Sequence, residues 1–198
     1  MGVNRHQDYA YIGNAVPNNL HWLDVKKMRD AGFRIIRSAH YPQDPAFMDA
    51  CDELGMFIIV ATPGWQYWNP EPVFEERILS DIRNMVRRDR NHPSVLLWEP
   101  VLNETAFPES FAQNAYRATH EEYPAPGCYA AIDDKSKGAM GYDVVYTAPK
   151  NEAFYRNAGK SCFTREYGDC VDDWNSHNSY SRVAREWGEE PQIRQAQH

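Results

Sequence analysis

Met56-Phe-Ile-Ile-Val-Ala61 is an unbroken apolar run of six residues, and what flanks it decides how the chain folds. A strand with one wet face alternates polar and apolar residues. A continuous run belongs to a strand covered on both faces, as in a parallel sheet sheathed by helices. Just upstream, Asp44 and Pro45 open a helical pattern, with proline at its favoured first position. Phe47, Cys51 and Leu54 line one face of that helix, and Gly55 ends it. Downstream, residues 72–90 carry Phe74, Ile78, Ile82 and Met85 at helical spacing until His92-Pro93 breaks the pattern. Ser94-Val-Leu-Leu-Trp-Glu-Pro-Val-Leu-Asn-Glu104 then reads as another buried strand.

The alternation continues in both directions. Residues 2–6 read as a strand. Asn18 or Asn19 caps a helix that turns Leu20, Val25, Met28 and Ala31 inward and stops at Gly32, and residues 33–40 form a short strand. Beyond 104 come a helix over 108–123 and strands at 128–133, 142–148 and 161–167, the last two separated by a short helix. A final helix around 179–187 presents Tyr180, Val183 and Trp187. Strands that alternate with helices and share no tight hairpin form a parallel sheet. Seven units in 198 residues, where a complete (β/α)8 barrel takes about 250, predict one domain over 1–198: an incomplete TIM barrel lacking its eighth strand. A doubly wound open sheet is the alternative, but no Gly-x-Gly-x-x-Gly or phosphate loop follows any strand. Both ends read as cut, since the chain opens directly into a strand end and stops in a polar tail from Glu186 to His198. An open barrel exposes strand edges, so these residues alone are expected to be poorly soluble or inactive.

Composition narrows the function classes. Twenty-one basic and 28 acidic residues leave a net charge of −7, the wrong sign for gripping a nucleic-acid backbone. The basic cluster from Arg83 to Arg90 alternates with acids on a helix and reads as a solvated face. No run of 18 apolar residues exists, so no membrane partner is expected. Cys51, Cys128, Cys162 and Cys170 match no zinc spacing. The first three fall in apolar patterns and read as buried free thiols. No metal site and no cofactor are predicted. The sequence leaves the compartment open, whether periplasmic, secreted or cytoplasmic.

The chemistry lies at two strand ends. Glu104 closes the fourth strand, and Glu166 closes Ser161-Cys-Phe-Thr-Arg-Glu166-Tyr-Gly. In a barrel the carboxyl ends of all strands share one rim, where catalysis sits. Two carboxylates meeting there, one protonated and one ionised, are the equipment for cutting a glycosidic bond. Trp65, Tyr67 and Trp68, in the loop after the third strand, serve either as stacking platforms for a sugar or as a lid over the core.

Six strings in order then give a family resemblance: Gly2-Val-Asn-Arg-His6, Arg37-Ser-Ala-His-Tyr-Pro42, Cys51-Asp-Glu-Leu-Gly55, Arg88-Asp-Arg-Asn-His-Pro-Ser94, Asn103-Glu104 and Glu166-Tyr-Gly168. They resemble the catalytic barrel of glycoside hydrolase family 2, the group of β-galactosidases, β-glucuronidases and β-mannosidases. The resemblance implies a retaining exo-β-glycosidase, most simply a β-galactosidase, with a carbohydrate as partner. It implies that Glu104 is the acid/base and Glu166 the nucleophile. His6 and His40 correspond to residues that grip sugar hydroxyls, Arg37 to an arginine that hydrogen-bonds the nucleophile, and Asn103 to a contact with the 2-hydroxyl. It also implies that relatives carry the missing barrel unit and preceding β-sandwich domains. A β-glucuronidase, a β-mannosidase or a carbohydrate-binding barrel without catalysis are the alternatives.

Three departures from the family pattern stand out. Between Trp98 and Glu104 the chain is one residue longer than in the pattern, with Glu99 and Pro100 following Trp98 and Leu102 where glycine is usual. A bulge near Glu99-Pro100 is expected to absorb it, and Glu99 is a second candidate for the acid. Strand three ends in Ala61-Thr-Pro, without the acidic residue that helps relatives hold magnesium. The tyrosine that relatives place after strand six has no aligned counterpart, and Tyr146 or Tyr167 is the substitute.

Overall fold

A computed structural model describes residues 1–148 and 151–166. Residues 1–163 form one compact unit and residues 164–198 a second, of which only 164–166 are described. The helix expected around 179–187 therefore lies outside the described residues.

The first unit runs β1 (Gly2–Arg5), α1 (Asn18–Asp30), β2 (Ile35–Ser38), α2 (Pro45–Leu54), β3 (Phe57–Ala61), α3 (Pro72–Asp89), β4 (Val95–Glu99), α4 (Glu109–Glu122), β5 (Ala131–Asp133), a 3-10 turn (Ala139–Gly141), β6 (Val144–Tyr146), α5 (Glu152–Asn157) and β7 (Ser161–Phe163). Among the described residues the strands pair in parallel, in the order β1-β2-β3-β4 and β5-β6-β7. A parallel bridge, Trp98 to Ala130, joins the two groups, with Trp98 N–H donating to the Tyr129 carbonyl at 2.9 Å. Strands in sequence order with helices between them are an incomplete (β/α)8 barrel.

Local signals explain most of the element ends. The Asp44 carboxylate accepts from Ala46 N–H at 2.8 Å, Pro45 opens α2, and Gly55 closes it in the left-handed region at φ 67°. The start of α1 differs from expectation: Pro17 is its cap and no side chain serves that role. Its inward face is also rotated. Val25 is buried as expected, yet Leu20 and Met28 are half-buried, Ala31 is exposed, and His21 is the other buried residue.

Alternation along the strands separates two apolar layers. Ile36, Ile58, Val60 and Trp98 face the helices, packing with Val25, Phe47, Met48, Cys51, Met85 and Val86. Ile59, Leu97, Ala131, Val144 and Tyr146 fill the barrel interior together with Ile35, Leu96 and Phe163. Leu96 and Leu97 are consecutive yet share that interior. The pairing with β3 explains this, because Ile58 faces Val95 while Ile59 faces Leu97, so Leu96 is the extra residue of a bulge. The irregularity thus falls upstream of Trp98. The expected bulge at Glu99-Pro100 is absent, since Trp98 and Glu99 remain in register with Val60 and Ala61. The surplus residue is taken up instead where the chain leaves the sheet at Pro100, which has no N–H to offer a ladder.

Cys51 and Cys128 are free and buried, and Cys162 is half-buried. Burial pushes the Cys51 thiol up to about 12 and Cys128 up to about 11, so neither ionises near neutrality.

Candidate active site

The carboxyl ends of β1 to β4 bring six of the expected residues to one rim. By strand parity Arg37, Ile59 and Ala61 face the interior. The bulge at Leu96 places Glu99 there as well, and Arg37, Ala61 and Glu99 lie toward the rim end of their strands. Arg37 and Glu99 form a bidentate pair. Nε donates to Oε2 at 2.7 Å and Nη2 to Oε1 at 2.5 Å, both residues being 2% exposed. Nη2 also donates to Asn103 Oδ1 at 3.3 Å and lies 3.5 Å from His40 Nδ1. The guanidinium sits 5.9 Å from the centre of the Tyr146 ring. Strands β2, β4 and β6 therefore meet at one cation.

Aromatic rings continue the wall. His6 and His40 meet edge to face with centroids 5.5 Å apart, His40 is 5.5 Å from Trp65, and His6 is 6.4 Å from Tyr41. The Tyr41 hydroxyl accepts from Gln7 N–H at 2.8 Å, which ties the ends of β1 and β2 together. His40 follows a cis peptide bond to Ala39. Trp65 is 47% exposed, enough to offer a ring face.

Glu104 is presented by an unusual backbone. After Pro100 the chain buries Val101 and Leu102 in the core under α3 and α4. It returns at Asn103, which forms a parallel bridge with Trp65 and accepts from Gln66 N–H at 3.0 Å. Glu104 then adopts φ 48°, and Gln66 across from it adopts φ 56°. Non-glycine residues in this region cost on the order of 1–2 kcal/mol each and concentrate at functional sites. The turn leaves the Glu104 carboxylate exposed, with the Gln66 amide donating to its Oε2 at 2.6 Å.

Not every expected residue joins this group. Trp68 packs in an aromatic cluster with Phe74, Phe107 and Phe111, at centroid distances of 5.4, 6.5 and 4.8 Å, so its ring fills core under the rim. Tyr67 is exposed beside Phe74. Trp98 faces the helix layer, away from the rim. Glu99 is a partner of Arg37 and not a free acid, and it adds to the partner that the resemblance implied for this arginine. Glu166 is half-buried and belongs to the second unit, and Tyr167 lies outside the described residues.

The sequence reading misses Gln66 and gives Glu99 as a second candidate acid, not as the partner of Arg37. Glu99's partnership depends on a parity set by a bulge two residues before Trp98, and Gln66 sits in a loop with no periodic signal. Among the described residues no group of three His, Cys, Asp or Glu side chains is placed to hold a metal ion, and no helix is long and apolar enough to cross a membrane. A cavity of about 650 Å³ opens elsewhere, against the outer side of α4 and the 3-10 turn, lined by Tyr116, His120 and Tyr142 among others.

Comparison with known proteins agrees with this fold. Residues 1–125 match the family described as "Glycosyl hydrolases family 2, TIM barrel domain". A β-galactosidase of Thermoanaerobacterium thermosulfurigenes is 38% identical over 125 residues, covering 62% of this chain and 17% of that protein. A β-galactosidase of Thermoanaerobacter pseudethanolicus is 32% identical over 121 residues, covering 61% and 16%. Among solved structures, a GH2 β-galacturonidase from Eisenbergiella tayi bound to galacturonate superposes with a TM-score of 0.64 at 30% identity, over 75% of this chain and 29% of that one. The chain thus spans about a sixth of the length of these two curated relatives. Glu104 lies inside the matched family stretch and Glu166 beyond it.

Proposed function

This chain belongs to glycosyl hydrolase family 2, and from that premise we propose that it carries the catalytic rim of a retaining exo-β-glycosidase, most simply a β-galactosidase. The observation that carries the reading is Asn103-Glu104. An exposed carboxylate is held at φ 48° beside a buried amide that is itself anchored to Arg37. A loop turned into a costly backbone region that exposes a carboxylate next to the Trp65-Gln66 segment suits proton delivery to a leaving oxygen.

The chemistry follows the two-carboxylate scheme. Glu104, protonated, donates to the glycosidic oxygen as its bond to the anomeric carbon breaks. Glu166, ionised, attacks that carbon from the opposite face and forms a glycosyl ester. Glu104, now a carboxylate, removes a proton from water, which attacks the same carbon and releases Glu166. Two inversions give net retention. Asn103 donates to the 2-hydroxyl, His6 and His40 contact other hydroxyls, and Trp65 stacks on a sugar face.

Kinetics with a panel of aryl β-glycosides, on the longest natural chain that carries these residues, test the proposal. Glu166→Gln is expected to abolish turnover, and azide to restore activity to Glu166→Ala by supplying an external nucleophile. Glu104→Gln is expected to slow poor leaving groups far more than nitrophenol. An active wild type indifferent to both glutamate changes would reject the assignment. A barrel that only binds carbohydrate would keep sugar affinity in Glu166→Gln and show no rate in either form. A uronide is the second reading, favoured by the 30% identity to the galacturonate-bound β-galacturonidase. The galactoside-to-galacturonide rate ratio separates the two.

A further inference from the structure

We infer that Glu99 is a positioning residue of this site, one that sets which way Asn103 and His40 present their hydrogen-bond donors. The inference rests on the functional reading above. It starts from the residue that departs from the family pattern, since Glu99 stands in the lengthened segment between Trp98 and Glu104.

The chain of contacts is short. Glu99 grips the guanidinium of Arg37 through Nε and Nη2 at 2.7 and 2.5 Å, fixing the plane of the group as a single contact cannot. Nη2 then points at both Asn103 Oδ1 and His40 Nδ1. A guanidinium only donates. Asn103 must therefore turn its carbonyl oxygen inward, which directs its NH2 group away from Arg37. His40 Nδ1, 3.5 Å from the same Nη2, faces a group that only donates, which favours the tautomer carrying its proton on Nε2. Both side chains then present donors, a polarity suited to the lone pairs of sugar hydroxyls. Loss of Glu99 removes the two-point clamp that sets the plane of the Arg37 guanidinium, and with it the fixed donor that orients the Asn103 amide.

The geometry also explains why the residue is glutamate and why β4 carries its bulge. Only the extra residue at Leu96 brings position 99 to the interior face beside Arg37. Glu99 is 2% exposed, so its carboxylate reaches the rim only through that arginine.

The test compares an aryl β-galactoside with its 2-deoxy analogue in wild type and Glu99→Gln. Glutamine keeps one acceptor but turns an NH2 group toward a group that only donates. Misplacement of reacting groups by about 1 Å costs on the order of 10²-fold in rate, so kcat for the galactoside is expected to fall by about that factor. The decisive readout is the ratio of kcat/KM for the two substrates. It should drop about tenfold, because the contact to the 2-hydroxyl that strengthens in the transition state is lost. Glu99→Asp, which reaches fewer guanidinium nitrogens, should show an intermediate ratio and covers the case in which the glutamine variant fails to fold. An unchanged ratio in both variants, or in the aspartate variant alone if only that one folds, with uniformly lower rates, would mean that Glu99 merely supports the fold, and overturns the inference. Wild type inactive toward every glycoside would overturn the functional reading and this inference with it. Wild type active and sensitive at Glu104 but unchanged in ratio at Glu99 would overturn the inference alone.

Discussion

The two halves of the barrel are built differently. From β1 to β4 the strands have 4 or 5 residues and the helices 10 to 18. From β5 to β7 each strand has 3 residues, β5 and β6 are joined by a 3-10 turn in place of a helix, and α5 has only 6 residues. The consequence is energetic as well as visual. The first half buries Phe47, Met48, Ile58, Val60 and Met85 in one layer, while α5 has no buried residue. Fixing a residue costs about 1–2 kcal/mol of backbone entropy, so α5, with no buried side chain to offset that cost, adds little to hold β7. The cavity against α4 lies beside the 3-10 turn, where a regular barrel would carry a helix between β5 and β6. The described rim residues that converge on Arg37 come mostly from the sturdier half.

Amide hydrogen exchange gives the broadest test of this contrast. Amides of β2 and β3 are expected to exchange only with global unfolding, and those of β6 and β7 by local opening orders of magnitude faster. Equal protection across both halves would break the comparison. Point mutations sharpen it. Phe47→Ala, at a residue with no exposed surface that also stacks under the Arg5 guanidinium at 4.3 Å, should cost about 4 kcal/mol in denaturant titration. Val145→Ala, equally buried in β6, removes less volume from a thinner layer and should cost about 2 kcal/mol.

A pH effect comes next in size. His21 is fully buried, its Nδ1 lies 3.2 Å from Arg5 Nη2, and its Nε2 has no hydrogen-bond partner among the described residues. Burial, followed by the charge of Arg5, holds its pKa below the usual 6.5, against the opposing pull of Asp44 and Asp24. The folded protein therefore binds fewer protons than the unfolded chain just below that value. His21 leaves stability unchanged above pH 6.5. As pH falls from there toward the lowered folded value, stability is expected to drop at up to about 1.4 kcal/mol per pH unit. His21→Gln should flatten that slope, and an identical slope in the variant would show that other groups cause it. Smallest is Tyr142→Phe, which removes a 2.7 Å hydrogen bond to the Ala112 carbonyl beside the cavity and should cost about 1 kcal/mol.

Legibility in the sequence followed the same divide. Where burial repeats with a regular period, as in Met56–Ala61 and along α3, residue pattern and local caps located the elements closely. Asp44, Pro45 and Gly55 are caps whose effect is confined to one turn, so they read correctly without tertiary context. The start of α1 did not. Pro17 fixes its own φ while the asparagines beside it join the helix, and His21 is drawn inward by Arg5, a residue 16 positions away.

The sequence by itself determined the alternation of strands and helices, their parallel order, and the ordered strings that place the chain in its family, because those depend on local periodicity and residue identity. Only the tertiary structure decided that Glu99 pairs with Arg37, that Gln66 donates to Glu104, and that Trp68 fills core while Trp65 stays at the rim. Each of these depends on side-chain parity after a bulge or on loops meeting across the barrel mouth. A one-residue shift reverses which face a side chain takes, and no pattern within a single strand records the shift that its neighbour imposes.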